Sequence, residues 1–88
     1  MAATDSLIEY PCDFPVKVMG LLQQGFTEAV TEVVMRHDQT FDITTIEVRP
    51  SSGARYVSLT CTVRAKSREQ LDALYQELCD HSQVVMVL

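Results

Sequence analysis

Two kinds of hydrophobic period alternate along this chain of 88 residues, and their order restricts the fold more than any other feature. Stretches in which every second residue is apolar are typical of half-buried strands, whereas apolar spacings of three and four are typical of helices. Along the chain these patterns predict a strand, a helix, two strands, a second helix and a final strand. Each prediction depends on only a few residues.

The first half of the chain contains two predicted strands and one predicted helix. The first strand is predicted from Phe14 to Gly20, because side chains alternate between an apolar and a mixed face there. The second strand is predicted over 43–50, where Pro50 ends the ladder. Between them, five residues at helical spacing predict the buried face of a helix: Phe26, Val30, Val33, Val34 and His37.

The second half begins with turn residues at 51–54 and continues with a third alternating strand over 56–65. Ser67 followed by Gln70 is the pattern of a capping box, and it predicts a second helix that runs to about His81. Residues 84–88 are all apolar and predict a final strand. Residues 1–13 are predicted to be a partly ordered N-terminal lead-in, and residues 14–88 a single domain, because so short a chain supports one core only.

The element order β-α-β-β-α-β predicts an α+β fold of the ferredoxin-like split βαβ type. Right-handed crossovers and a hairpin between the middle strands give a four-stranded antiparallel sheet in the order 4-1-3-2, with both helices on one face. The other face then remains without a helix layer. This fold hosts many functions, so the function must be argued from side chains.

Composition excludes several of those functions. The formal net charge of −5 disfavours nucleic acid as a partner, and no apolar run approaches the 18 or more residues of a membrane span. The three cysteines are widely spaced and odd in number, which favours a reducing compartment. The N-terminus has no basic segment followed by an apolar stretch, so secretion is not signalled, and we predict a cytoplasmic protein. No set of residues predicts a metal site or a cofactor.

Known chemistries of this fold also lack their residues. Acyl phosphate hydrolysis requires an arginine in the first loop and an asparagine, but residues 21–25 contain no arginine and the chain contains no asparagine. Metal transfer requires two cysteines in the same loop, which has none. RNA recognition requires aromatic side chains where this sheet would present Ser58, Thr60 and Thr62. We therefore predict no catalytic residue and no enzymatic activity.

Two groups of residues are candidate ligand sites. Gly20 would allow a ligand to approach the backbone between the first strand and the first helix, although it also serves simply to end a strand. The hairpin turn would bind an anion, because two guanidinium groups flank backbone N–H donors there; a solvated turn explains the same residues. The residues of this second group are Arg49, Ser51, Ser52 and Arg55.

The final strand predicts an interaction surface. It lies at a sheet edge and carries no charge that would disfavour pairing with another chain. Strict alternation places Val85 and Val87 together with Met19 on the exposed face, where a protein partner or a second copy would cover them. The alternative is that the lead-in folds back and covers this strand with Leu7, Ile8 and Tyr10.

Several segments also resemble the YbeD-like family of small bacterial proteins. They are Lys17–Gly20, Val33–Val34 with Arg36–His37, Arg49–Gly53 with Tyr56 and Ser58, Leu74–Leu78, and Val85–Leu88. The resemblance covers nearly the whole chain and implies a fold similar to ACT regulatory domains, which bind small molecules and usually pair. Genes of the family often lie beside a lipoate-pathway octanoyltransferase gene, which implies a link to lipoate metabolism. The sequence thus predicts a regulatory or protein-interaction module, with an ACT-like metabolite-binding domain as the alternative.

Overall fold

The computed structural model describes residues 9–51, 53 and 55–88. These residues form four strands, two α-helices and one short 3-10 turn. In chain order they are β1 (Cys12–Leu21), α1 (Phe26–His37), the 3-10 turn (Ile43–Thr45), β2 (Glu47–Pro50), β3 (Tyr56–Ala65), α2 (Arg68–Asp80) and β4 (Val84–Val87).

The four strands form one antiparallel sheet in the order β2-β3-β1-β4. This is the predicted order 4-1-3-2 written from the other edge, and the predicted split βαβ fold is confirmed. β1 and β3 are the two central strands and pair without interruption from Cys12 with Ala65 to Leu21 with Tyr56. The two short strands β2 and β4 are therefore the edges of the sheet.

The core lies between the inner face of the sheet and the two helices. Alternate residues of β1 and β3 point into it, as the period-two pattern predicts. The residues predicted as the buried face of α1 cover them, except that His37 is only partly buried, and Leu71, Leu74 and Leu78 of α2 complete the cover. The largest fully buried side chains are Phe26, Leu59, Leu74, Leu78, Val16, Val18, Val30, Val33, Val34, Val63 and Cys61.

Local hydrogen bonds fix the start of α2. The Ser67 hydroxyl accepts a hydrogen bond from the Gln70 N–H at 3.1 Å, as the capping pattern predicts. The Gln70 side chain accepts from the backbone N–H of Lys66 and donates to the carbonyl oxygens of His37 and Arg64. A single side chain therefore connects the start of α2 to the end of α1 and to β3.

Asp38 connects the end of α1 to the central sheet. The residue is only 3% exposed. Its carboxylate accepts hydrogen bonds from the Thr40 N–H and hydroxyl and from the Arg64 N–H. Burial raises the pKa of Asp38, but these hydrogen bonds outweigh burial, so that the net pKa lies below its ordinary value. The buried carboxylate thus remains ionised and holds three donors.

The second strand begins later than the sequence predicts. Ile43–Thr45 form a 3-10 turn, and β2 starts only at Glu47. The Asp42 side chain accepts hydrogen bonds from the Thr44 N–H and hydroxyl at 2.9 and 2.7 Å, and this local cap favours a turn over an extended strand. The first strand, in contrast, begins earlier than predicted. β1 starts at Cys12 and includes two residues of the predicted lead-in.

A β-bulge corrects the predicted orientation of Val87. Met19 pairs with Met86, but the next residue of β1, Gly20, pairs with Val84, so that Val85 is an extra residue in β4. The shift places both Val84 and Val87 against the core, whereas Val85 and Met86 stay exposed. Strict alternation is therefore wrong for β4, and Val87 does not belong to the exposed surface.

Candidate interaction surface

Five apolar side chains lie on the outer, helix-free side of β1 and β4. Met19 and Met86 are paired on this face, and the Lys17–Leu88 pair continues the ladder through hydrogen bonds in both directions. We call the group of Met19, Leu21, Val85, Met86 and Leu88 the outer patch. Met19 is half-buried and the other four are exposed. Adjacent exposed apolar side chains of this kind are typical of a surface that another molecule covers.

The rest of the outer face is polar. Pairing of β2 with β3 places Glu47 opposite Thr60 and Arg49 opposite Ser58, and Lys17 lies beside them on β1. These side chains, together with Val48, line a pocket of about 220 Å³. The part of the outer face that lies over β2 and β3 therefore carries the hydroxyl groups of Ser58 and Thr60 that the sequence predicts. The outer patch lies on the β4 side of the same face.

The two sheet edges differ in chemistry. β2 carries Glu47, Arg49 and Pro50, which are residues that discourage pairing with another strand. β4 carries none. Because Leu88 and Met86 pair with β1, the N–H and C=O groups of Val87 point away from the sheet, where an incoming strand would meet them.

Leu7 and Ile8, which the sequence offers as a cover for β4, lie outside the described residues. Tyr10 is described and is half-buried. The structure extends the predicted surface by Leu21, Met86 and Leu88. The sequence pattern places Leu21 in the first loop, and strict alternation places Met86 and Leu88 on the inner face, because a strand of uniformly apolar residues gives no sign of a bulge.

Other residues of the protein fill the space beside the Gly20 backbone, where a ligand would have to approach. A Cβ atom built on Gly20 would lie 2.6 Å from Cζ of Phe26 and 2.5 Å from the carbonyl oxygen of Gln83. The Phe26 ring is part of the core, and Gln83 belongs to the connection between α2 and β4. Gly20 is therefore required for packing, and a ligand cannot approach its backbone from this side.

Several polar groups of the hairpin turn are used in hydrogen bonds within the protein itself. Arg49 lines the pocket of the outer face. The Ser51 N–H and hydroxyl are both engaged with the backbone of Tyr56, and the Arg55 carbonyl accepts from Leu22. Gly53 adopts a left-handed backbone with φ of 87°, and Ser52 lies outside the described residues.

The described residues meet the requirements of neither a metal site nor a membrane-spanning helix, and the buried cysteine is not a reactive one. Over 9–51, 53 and 55–88, no group of three or more His, Cys, Asp and Glu residues is arranged to hold a metal ion. The same part of the chain contains no helix that is long and apolar enough to cross a membrane. Burial raises the pKa of the Cys61 thiol to about 11, so this cysteine is a poor nucleophile at neutral pH.

One ionic cluster joins the two helices. Glu77 of α2 accepts a hydrogen bond from the Arg36 guanidinium, and its other oxygen lies 2.7 Å from Nε2 of His37. These two partners lower the pKa of Glu77. The cluster explains His37 as a contact between the two helices.

This architecture is ACT-like. Protein HP0495 from H. pylori superposes with a TM-score of 0.75 at 20% identity, over 92% of this chain and 85% of that one. The ACT domain from the GTP pyrophosphokinase of Chlorobium tepidum, in its solution structure, superposes with a TM-score of 0.63 at 20% identity, over 86% of this chain and 84% of that one. At this level of identity the likeness shows the fold alone.

The chain belongs to the family described as "Protein of unknown function (DUF493)", which matches residues 5–88. The UPF0250 protein of Nitrosomonas europaea is 58% identical over 84 residues, which are 96% of this chain and 97% of that protein. A UPF0250 protein of Bordetella parapertussis is 55% identical over 84 residues, 96% of this chain and 92% of its own length. The predicted membership in a YbeD-like family of small bacterial proteins is confirmed, and the relatives carry no enzymatic name.

Proposed function

We propose that this protein is a non-enzymatic interaction module that pairs with a second copy of itself through the outer patch and the β4 edge. The observation that carries the proposal is the coincidence of the two features. The exposed apolar side chains adjoin the one sheet edge that has no charged residue or proline. Pairing of two β4 strands about a two-fold axis would extend the sheet and place the two outer patches side by side, where the side chains nearest the edge would contact one another.

The size of the patch sets the expected strength. Covering a half-exposed side chain of this kind contributes about 1 kcal/mol, so the ten patch residues of two copies would contribute at most about 10 kcal/mol. Association costs about 4–15 kcal/mol. The net gain is therefore at best about 6 kcal/mol, which corresponds to a weak, reversible dimer with a dissociation constant of tens of micromolar or higher.

The absence of enzymatic activity is part of the proposal. It is supported by the buried, high-pKa thiol of Cys61 and by the engagement of His37 with Glu77. Neither arrangement places a nucleophile beside a base and an oxyanion donor. A cytoplasmic location is likewise proposed, since the described cysteines are all free thiols.

Two exposed valines provide a matched test. Val85 on the β4 edge is 57% exposed and Val48 on the β2 edge is 56% exposed. We expect sedimentation equilibrium at high micromolar concentration to detect a dimer for the native protein and for Val48→Lys, and a monomer for Val85→Lys. A native protein that stays monomeric at millimolar concentration, or equal dissociation by both lysines, would refute the proposal.

A second candidate is an ACT-type metabolite-binding domain, which the ACT-like fold favours. With Gly20 closed by Phe26 and Gln83, the remaining backbone of the loop before α1 is that of residues 23–25, where the Gln23 and Gly25 carbonyl oxygens already accept hydrogen bonds from the Phe26 and Ala29 N–H groups. A thermal-shift screen with amino acids and with lipoate-related acids tests this function, because a ligand that binds the folded state raises the melting temperature. No shift at millimolar ligand leaves the interaction module as the only proposal.

A further inference from the structure

A second exposed apolar surface lies on the opposite side of the molecule, beside α1. It is an open groove of about 800 Å³ between the exposed face of α1 and the 3-10 turn that precedes β2. Met35, Ile43 and Ile46 form its apolar floor. The groove does not overlap the outer patch, so an inference from it stands independently of the proposed dimer.

The floor is held in place by the fold. Ile46 packs against the core, whereas Met35 is 42% and Ile43 is 54% exposed. Ile43 is the first residue of the 3-10 turn that the Asp42 side chain caps. A capped turn presents Ile43 in a fixed position, which reduces the entropy that a partner must pay for ordering this side chain.

The wall supplied by α1 is acidic. Glu28 and Glu32 lie along it at helical spacing, with Arg36 at its end. The Arg36 guanidinium is already engaged by Glu32 and by Glu77. Glu28 has no cationic partner among the described residues, so the wall keeps a negative charge that agrees in sign with the net charge of the chain.

We propose that this groove binds a basic amphipathic helix from a partner protein. Apolar side chains of such a helix would cover Met35 and Ile43, while lysine or arginine side chains would reach Glu28 and Glu32. A second copy of this chain is disfavoured, because its charge has the same sign as the wall. A small molecule is disfavoured as well, because a floor that is half exposed would not enclose most of the ligand surface.

The length of α1 defines the length of the partner. Its 12 residues span about 18 Å, which corresponds to about three turns of an accompanying helix. A partner helix with apolar residues at positions i, i+4, i+7 and i+11 would present a stripe of about that length.

Two synthetic peptides of identical composition test the proposal. Both contain leucine, lysine and alanine, but only the first places its leucines on one helical face. We expect the first peptide to bind with micromolar affinity by fluorescence anisotropy in physiological salt, and to shift the amide resonances of residues 27–36 and 43–46. The scrambled peptide, of equal charge, should bind about tenfold more weakly or worse.

Variants of the protein locate the contact. Ile43→Asp and Glu28→Lys should each weaken binding of the first peptide by about tenfold. Glu69→Lys, which makes the same charge change at an exposed site on α2, should alter it less than about twofold. Circular dichroism verifies that each variant is folded.

Three results would overturn the proposal. Equal binding of both peptides would mean that net charge alone attracts them. Resonance shifts confined to residues 84–88 would mean that the outer patch is the docking site. Concentration-dependent shifts of residues 35 and 43 in the protein alone would assign the groove to a second copy.

Discussion

Replacement of Gly20 by alanine tests the packing of this fold most directly. The added Cβ would lie 2.5 Å from the Gln83 carbonyl oxygen and 2.6 Å from Cζ of Phe26, whereas ordinary contacts begin at 3.4 Å. Both neighbours are held, one as backbone and one as a core ring. Overpacking of this kind costs about 1–3 kcal/mol, and a loss of unfolded-chain entropy offsets about 0.4–1 kcal/mol of it.

We therefore expect Gly20→Ala to lower the free energy of unfolding by about 1–2 kcal/mol and the melting temperature by about 4–16 °C. Urea unfolding followed by circular dichroism measures the first effect, and a thermal scan measures the second. Gly53→Ala is the control, because Gly53 has a φ of 87° but open space around it. An alanine in this left-handed conformation should lower the free energy of unfolding by about 1–2 kcal/mol. The smaller entropy of the unfolded chain should offset about 0.4–1 kcal/mol of that loss.

A double-mutant cycle separates the clash from other causes. Phe26→Leu removes the ring atoms that the new methyl group would meet, so the double variant should be more stable than the sum of the two single losses by at least about 0.5 kcal/mol. The reasoning is refuted if Gly20→Ala is as stable as the native protein, or if it loses less stability than Gly53→Ala does.

Three further predictions concern buried and ionic groups. Asp38→Ala should lower the free energy of unfolding by about 2–4 kcal/mol in urea titration, because it leaves the Arg64 N–H without its acceptor; an effect below about 0.5 kcal/mol would contradict this role. The pKa values of Asp38 and Glu77 are lowered by folding, so their contribution to stability is complete above about pH 4–5 and is lost as the pH falls through the folded pKa values. The melting temperature should decrease accordingly between pH 5 and pH 2 in a thermal scan, and less so in Glu77→Gln; an unchanged decrease in that variant would exclude Glu77 as a contributor. Cys79 is exposed and Cys61 is buried, so a thiol reagent should label Cys79 rapidly in the folded protein and Cys61 only when the protein unfolds. Labelling of Cys61 in the folded protein would contradict its burial.

The sequence predicts those parts of the fold that depend on a repeated local pattern. The stripes of α1 and α2 and the alternation of β1 and β3 each extend over ten or more residues, so one irregular position does not change the outcome. The predicted start of β2 is wrong because three residues suffice for a 3-10 turn. Over so short a segment the hydrogen bonds of Asp42 decide the conformation, and an alternating pattern does not reveal them.

The candidate surfaces depend on contacts that are distant in sequence. The bulge in β4 is defined by the pairing with β1, and a segment whose residues are all apolar shows no preference for one register. The groove appears only when the turn at Ile43 is placed against α1. Similarly, Arg36 and Glu77 are 41 residues apart, and no local spacing predicts their contact.

The strand order has a consequence for assembly. β4 and the turn beside β2 lie at opposite ends of the sheet, so joining two copies at β4 would leave one groove at each end of an eight-stranded sheet, separated by about 34 Å at ordinary strand spacing. Such a particle would be bivalent. A target carrying two suitable helices at that distance would then be held by avidity, and a target carrying one would dissociate quickly.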